Sequence, residues 1–163
     1  MNNSSFLKKK AKESDAALAT NAALRFLSRR EYSKLELYQK LCLKYTADAA
    51  KSAVKKCIEN DWLSEKRYIE MLHRHIISQN YGPLKFVIEA KKKGITSSLY
   101  DSLVRETDWK AVAITFLSKK ISNSDTVSYE DKQKILASLS RRGFSNSICI
   151  EALEEYLGSS FEF

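Results

Sequence analysis

Glycine and proline are scarce in this sequence, which has four glycines and one proline among 163 residues. An all-β fold needs frequent tight turns, and glycine and proline are the residues that form most of them. The sequence also lacks a run of about eighteen apolar residues, the length that a membrane-spanning helix needs. These absences predict an all-α protein that has no contact with a membrane.

Cysteine is also rare, and the three cysteines give no sign of a disulfide framework. Cys42, Cys57 and Cys149 are odd in number and far apart, and each falls in an apolar helical stretch where a cysteine acts as a small core residue. The N-terminus carries cations without the apolar segment that follows them in a secretory signal. We therefore expect a soluble protein of the cytoplasm.

Motifs that would indicate catalysis or a cofactor are missing. His73 and His75 are the only histidines, and a two-residue separation places them on opposite sides of a helix. The sequence has no Cys-x-x-Cys or His-Glu-x-x-His spacing for a metal, no glycine-rich phosphate loop and no Gly-x-Ser-x-Gly nucleophile turn. We therefore predict no enzymatic activity, no metal and no cofactor.

A pattern that occurs three times dominates the rest of the sequence. Its copies begin at Tyr32, Tyr81 and Tyr129, and each combines an aromatic residue, a helix-start signal, an amphipathic helix and a basic helix end. A fixed period of roughly fifty residues indicates stacked helical units, because one such unit cannot bury its apolar face alone. Arrays of this kind present long surfaces, which favours a long partner over the pocket of an enzyme.

Local signals predict where individual helices begin and how they face the core. Ser33 with Glu36 forms a capping box, and Pro83 takes the first position of another helix. Leu99 and Leu103 are four residues apart, which predicts that both face inward from a sixth helix. Extended to the whole chain, these signals give nine helices in three groups of three.

The predicted fold is all-α, with three tandem three-helix repeats stacked into an elongated, curved array. Each repeat is expected to bury the apolar face of its neighbour. The predicted segments are a mobile basic tail at 1–13, repeats at 14–63, 64–107 and 108–157, a polar loop at 122–127 within the third repeat, and a C-terminal tail at 158–163.

The charge of the chain is unbalanced, with 28 lysines and arginines against 20 acidic residues and a net charge of +8. Cations collect at the C-terminal end of the second helix of each repeat, where they also complement the helix dipole by about 0.3–1 kcal/mol each. Because stacked repeats would align these clusters along one flank, the sequence predicts a continuous basic strip that contacts a partner or DNA. The candidate contact residues at these helix ends are Lys40, Lys44, Lys91, Lys92, Lys93, Arg141 and Arg142. The fourth helix adds Arg67 and Arg74, which are seven residues apart and so lie on one face.

Three segments, taken in order, resemble the motifs of one protein family, the RecX family. Residues 82–95 begin with Gly-Pro and end with Lys-Gly-Ile, as the family's second repeat does. Residues 33–41 are similar to the Ser-x-x-Glu-Leu-x-x-Lys-Leu of its first repeat, and 141–144 to the Arg-Arg-Gly-Phe of its third. The resemblance covers about 15–157, and only the three motifs together make it specific.

The resemblance implies a regulator of RecA, the recombinase that forms filaments on single-stranded DNA. Members of the family bind these filaments and inhibit strand exchange, ATP hydrolysis and co-protease action, and so act in DNA repair and the SOS response. They have no enzymatic activity of their own. The implied partner is the RecA filament on single-stranded DNA, with a weak direct contact to nucleic acid, and the implied state is a monomer.

Two alternatives to a RecA regulator remain open. The first is a sequence-nonspecific DNA-binding protein that acts through the basic strip alone, and the second is a protein-interaction adaptor whose charge only keeps it soluble. A dedicated single-strand binder stacks bases on exposed aromatic rings. Most aromatic residues here fall on predicted core faces: Tyr38, Tyr68, Phe86, Trp109, Phe116 and Tyr156. The rings left for stacking are Tyr45, Tyr81, Tyr100 and Tyr129.

Overall fold

Helices make up nearly all the regular structure of the protein, which a computed structural model describes at residues 11–122 and 127–159. In these ranges there are nine α-helices, one 3₁₀ turn at Ser97–Leu99 and no β-strand, so the all-α fold with tandem three-helix groups is confirmed. Most of the predicted tails and the centre of the predicted loop at 122–127 lie outside the described residues. The helices are α1 (Ala16–Leu27), α2 (Lys34–Leu41), α3 (Ala47–Glu59), α4 (Glu65–Ser78), α5 (Pro83–Lys92), α6 (Asp101–Glu106), α7 (Trp109–Lys120), α8 (Tyr129–Arg141) and α9 (Asn146–Ser159).

The chain divides into two compact units between Ser64 and Glu65, one residue after the boundary predicted for the first repeat. The first unit holds α1–α3 and the second holds α4–α9. The predicted second and third repeats share one hydrophobic core in the second unit, which runs from Tyr68 in α4 to Tyr156 in α9. The two repeats therefore bury each other's apolar faces, as repeat units of this kind do.

The core of the first unit is built on small side chains where α1 packs against α3. Ala19 and Ala23 of α1 and Ala50 and Ala53 of α3 are fully buried, and short side chains let two helix backbones approach closely. The predicted helix start is confirmed, since the Ser33 hydroxyl accepts a hydrogen bond of 3.1 Å from the backbone N–H of Glu36.

The first unit begins earlier in the chain than predicted. The backbone N–H of Glu13 donates to Lys44 O at 3.0 Å, and the carbonyl of Glu13 accepts from the N–H of Thr46 at 2.8 Å. Lys12 also donates from its ammonium to the carbonyl of Cys42. The prediction of a mobile tail through residue 13 is therefore wrong at its end, because backbone pairing of this kind is not visible in a local charge pattern.

Aromatic rings form the centre of the core in the second unit. Phe86 is fully buried, and its ring centroid lies 5.7 Å from that of Tyr100 in an edge-on arrangement. Trp109 packs beside Phe86 and donates from its indole nitrogen to Val104 O at 2.8 Å. These contacts join α5 to α7, the second helix of one repeat to the first helix of the next.

The prediction that Leu99 faces inward is wrong. The segment before α6 is a 3₁₀ turn, and each residue of a 3₁₀ turn advances by about 120° rather than the 100° of an α-helix. Leu99 is consequently 38% exposed, and the next residue, Tyr100, takes the core position at 2% exposure. Leu103 is partly buried against the same core, as its spacing predicted.

His73 lies at the edge of this aromatic core, and a hydrogen bond to Thr107 orients its imidazole ring. Its Nε2 is 2.7 Å from the Thr107 hydroxyl oxygen, and that hydroxyl donates its own proton to Leu103 O. The imidazole therefore donates from Nε2, which leaves Nδ1 as the nitrogen that gains or loses the titrating proton. Burial beside Phe86 and Trp109 lowers the pKa of His73, and the neighbouring Arg74 lowers it further.

The lowered pKa of His73 predicts acid sensitivity of the fold. Because the unfolded chain binds the His73 proton more readily than the folded chain, stability falls as the pH drops through the ordinary histidine range near 6.5. The His73→Gln variant, measured by urea unfolding between pH 8 and about 5.5, should lose this slope. The matched control is His75→Gln, at an exposed position, and an equal effect of both variants would contradict the assignment.

Candidate functional site

The predicted contact residues of the second unit that lie outside α4 fall into two groups at opposite ends of α5. Lys91 and Lys92 are exposed in its last turn, and Lys93 follows them as the C-cap. Arg142 lies at the other end, because its backbone carbonyl accepts from the N–H of Gly82 at 2.9 Å, just before α5 begins. A helix of ten residues is about 15 Å long, so the structure spaces these cation groups along α5.

Arg142 is half-buried and holds the second and third repeats together. Its guanidinium donates to the carbonyls of Gln79 at 2.8 Å and Asn80 at 3.3 Å. The same group lies 4.3 Å from the ring centroid of Phe116 and 5.0 Å from that of Tyr81. The adjacent Arg141 is exposed. Of the two neighbouring arginines, Arg142 therefore has a structural task and Arg141 is available to a partner.

Two lysines outside the predicted contact set, Lys85 and Lys120, lie near Arg142. The ammonium of Lys85 lies 5.6 Å from the Tyr81 ring, and that of Lys120 lies 5.6 Å from the Phe116 ring and donates to the Ser138 hydroxyl at 3.0 Å. We call Lys85, Lys120 and Arg142, together with the rings of Tyr81 and Phe116, the cation–aromatic cluster. Lys119 and Lys120 end α7. A pair of lysines at a helix end is the signal that selected Lys91 and Lys92, so the sequence also contained the signal for Lys120.

Glu89 limits the positive charge near the middle of α5. Its carboxylate pairs with Lys85 at 3.1 Å and with Lys92 at 3.3 Å. The hydrogen bond from Lys85 is the main reason that the pKa of Glu89 is lowered, and Lys92 contributes to the same effect. Lys91 thus carries the least compensated charge in the last turn of α5, since its neighbour Lys92 shares its charge with Glu89.

The candidates of the first unit and of α4 lie in different surroundings. The ammonium of Lys40 is 4.9 Å from the ring centroid of Phe26, while Arg30 lies 3.7 Å above Tyr32 and pairs with Glu36 at 2.9 Å. Lys44 and Arg74 are exposed, and Arg67 is half-buried. Continuity of a basic strip from the first unit to the second stays a prediction.

Few of the rings considered for base stacking are accessible. Tyr45 and Tyr100 are buried, Tyr81 is half-buried beneath Lys85 and Arg142, and Tyr129 alone among the four is widely exposed, at 77%. The predicted core rings Tyr68, Phe86, Trp109, Phe116 and Tyr156 are buried, and Tyr38 is half-buried. The described surface thus offers cations for phosphate or carboxylate and little aromatic area for bases.

Metal-ligating side chains do not converge in the described ranges. No three His, Cys, Asp or Glu side chains come together there as metal ligands. Burial raises the pKa of Cys57 and of Cys149, so both thiols stay protonated in the core, as predicted for small core residues. None of the helices in those ranges has the length and apolar character needed to cross a bilayer.

Comparison with known sequences places the chain among regulatory proteins. A family model described as the first three-helix domain of RecX matches residues 19–57. The chain is 35% identical over 144 residues to the regulatory protein RecX of Legionella pneumophila (strain Corby), which covers 86% of this chain and 96% of the relative. It is 30% identical over 127 residues to the regulatory protein RecX of Vibrio campbellii, which covers 76% of this chain and 82% of the relative.

Solved structures with the same fold agree. The crystal structure of RecX from Lactobacillus salivarius matches with a TM-score of 0.75 and 28% identity, over 87% of this chain and 96% of that one. A further crystal structure of a regulatory protein RecX shares the fold with a TM-score of 0.71 at 21% identity, over 85% of this chain and 73% of that one. With relatives at least 30% identical over most of its length, the chain belongs to the RecX family of regulatory proteins.

Proposed function

We propose that this protein binds RecA filaments on single-stranded DNA in the cytoplasm and inhibits the recombinase, ATPase and co-protease activities of RecA. The observation that carries the proposal is the spacing of cations along α5, with the exposed Lys91 and Lys92 at one end and, at the other, the exposed Arg141 beside the cation–aromatic cluster. A filament of protein and DNA presents phosphates and acidic side chains along its length, and spaced cations suit such a surface.

The proposed mechanism is bridging rather than catalysis. A monomer that contacts two or more subunits of a filament gains effective concentration for each further contact, so it binds the filament more tightly than either DNA or a single RecA molecule. Bridging also opposes the subunit rearrangements that ATP turnover and strand exchange require. Direct contact with DNA is weak in this mechanism, because the described surface offers few rings on which bases can stack.

The proposal predicts inhibition of RecA at low ratios of inhibitor. Added at substoichiometric to equal amounts over RecA on single-stranded DNA, the protein should suppress the DNA-dependent ATPase several-fold, because each bound copy restrains more than one subunit. ATP hydrolysis by the cognate RecA, followed in a coupled assay, gives the measurement. Excess naked single-stranded DNA should relieve little of the inhibition.

A control separates this mechanism from simple competition for DNA. An unrelated ATPase that single-stranded DNA stimulates should keep its activity at the same protein concentration. If the unrelated enzyme is inhibited equally, or if naked DNA restores RecA activity, the protein acts as a nonspecific DNA-binding protein. If it binds RecA equally well with the DNA removed by nuclease, it acts as an adaptor for RecA itself.

A further inference from the structure

An apolar groove lies between α2 and α3 of the first unit. Its floor consists of Leu35 and Tyr38 from α2 and Val54 and Ile58 from α3, and it has a volume of about 540 Å³. Leu35 is 36% exposed and Ile58 is 40% exposed. Tyr38 and Val54 lie deeper between them, and a concave apolar patch with two exposed side chains of this size marks an interaction surface. We call this the first-repeat groove.

The same groove recurs in the third repeat, between α8 and α9. The two repeats can be aligned on the residue before their third helix, which is Thr46 before α3 and Ser145 before α9. Val54 and Leu153 each lie eight residues after that point, and Ile58 and Leu157 each lie twelve residues after it. On the second helix, Tyr38 and Leu136 each lie three residues before a fully buried leucine. Leu136, Leu153 and Leu157 line a groove of about 330 Å³. A groove thus occupies the same place in the first and third repeats.

The two grooves differ in the charge around them. Lys34, Lys51 and Lys55 surround the first-repeat groove, and Glu59 at its end pairs loosely with Lys55 at 3.8 Å. In the third repeat Lys132 keeps the position of Lys34, and the positions of Lys51 and Lys55 are taken by Ile150 and Glu154. Lys51 and Lys55 are therefore not needed to build the groove, and they distinguish the first-repeat groove as a surface for a partner of opposite charge.

We propose that the first-repeat groove binds an amphipathic helix of a partner protein, with apolar side chains on one face and acidic residues flanking them. The apolar face would cover Leu35, Val54 and Ile58, and the flanking carboxylates would meet the surrounding lysines. The proposal goes beyond the proposed function and does not depend on RecA being the partner.

The groove itself indicates a helix as the occupant. Both of its walls are α-helices, so the groove presents side chains and no sheet edge to which an extended peptide could add as a strand. An extended peptide would leave its own backbone donors and acceptors unpaired there, whereas a helix satisfies them internally and packs side-chain ridges into the groove.

Other occupants fit less well. A second copy that paired the same groove across a two-fold axis would bring Lys34, Lys51 and Lys55 against the same lysines, and like charges at short range repel. A membrane surface meets convex apolar faces, whereas this apolar surface is concave.

Two labelled probe peptides test the proposal on the full-length protein. Each is a designed helix of about fourteen residues with leucines at i, i+3, i+4 and i+7, flanked by glutamates in one and by lysines in the other. Fluorescence anisotropy should show saturable binding of the glutamate probe, with the lysine probe weaker by about tenfold or more, the effect of two to three exposed ion pairs. The double variant Lys51→Glu/Lys55→Glu should reverse this preference.

One glutamate substitution in each of the two grooves locates the binding site of the probe. Ile58→Glu should abolish binding of the glutamate probe without loss of helicity, because Ile58 is already exposed, whereas Ile150→Glu in the third-repeat groove should leave it unchanged. No binding of the glutamate probe, equal binding of both probes, or loss through Ile150→Glu alone would overturn the proposal. A dimer detected by sedimentation would also overturn it, if Ile58→Glu dissociates that dimer. Binding to anionic vesicles would overturn it too, if Ile58→Glu removes that binding and the probe itself does not bind.

Discussion

Reversing three exposed charges, in the variant Lys91→Glu/Lys92→Glu/Arg141→Glu, should weaken binding to RecA filaments and to single-stranded DNA by about a hundredfold or more. A plot of log affinity against log salt concentration becomes less steep by about 0.7 for each phosphate contact that is lost on single-stranded DNA. Losing three contacts should therefore reduce the steepness by roughly 2. Filtration or anisotropy titrations between 50 and 200 mM salt measure both quantities. Arg142 is left intact in this variant because its guanidinium holds Gln79 and Asn80.

A charge-matched control distinguishes a site from net charge. The variant Lys66→Glu/Lys132→Glu/Lys134→Glu changes the net charge by the same amount at exposed lysines outside the candidate set. It should keep most of the affinity, and equal losses would mean that binding follows total charge. Circular dichroism of both variants should stay close to that of the parent protein. If only the first variant loses helicity, its cations serve the ends of α5 and α8 and not a partner.

Gly82→Ala should lower the free energy of unfolding by about 3 kcal/mol, at the upper end of the usual cost of inserting a methyl group into a packed site. The added Cβ would lie 2.4 Å from the carbonyl oxygen of Gly143, so the start of α5 and the end of α8 would have to separate. That separation would also break the backbone hydrogen bonds of 2.9 and 3.0 Å that join the two segments. A thermal melt should show the midpoint fall by roughly 6–12 °C.

Gly158→Ala provides the contrast within the same chain. Nothing lies within 4 Å of a Cβ placed at Gly158, in the last turn of α9, so alanine there should be neutral or stabilise by up to about 1 kcal/mol through its better helix propensity. Equal melting temperatures for Gly82→Ala and the parent protein would show that the two repeats tolerate separation at this junction. The large cost expected for Gly82→Ala is steric, because the backbone of Gly82, at φ −90°, is open to any residue.

Local sequence determined the helices and their ends. Ser33, Asp108 and Ser128 each accept a hydrogen bond from a backbone N–H three residues later, and that relation is written in the sequence spacing. Gly94 and Gly143 follow their helices with φ of 72° and 93°, the left-handed conformation that favours glycine. The repeat pattern and the family motifs were likewise readable, because both consist of short-range spacings. Seven of the nine candidate cations followed from their place at helix ends, and Arg67 and Arg74 from their seven-residue spacing on one helix.

Tertiary structure alone decided what several of these residues do. Arg141 and Arg142 are neighbours in sequence, yet only Arg142 reaches Gln79, 63 residues away, and a local pattern cannot contain a partner at that distance. Tyr45 and Tyr100 were candidates for an exposed surface and became core residues, Tyr45 through the pairing of its strand-like backbone with Glu13 and Tyr100 through the 3₁₀ turn before α6.

The grooves show the same division between local and long-range information. The helical spacing of Leu35 and Tyr38 on one helix and of Val54 and Ile58 on another was present in the sequence. Only packing shows that α2 and α3 leave these side chains partly uncovered beside lysines, because the exposure of an apolar residue depends on which helix lies over it. The sequence by itself determined the helices, their ends and the family of this protein. The folded chain decided which cations are structural, which rings are hidden and which apolar surface is left for a partner, since each of these depends on contacts between distant residues.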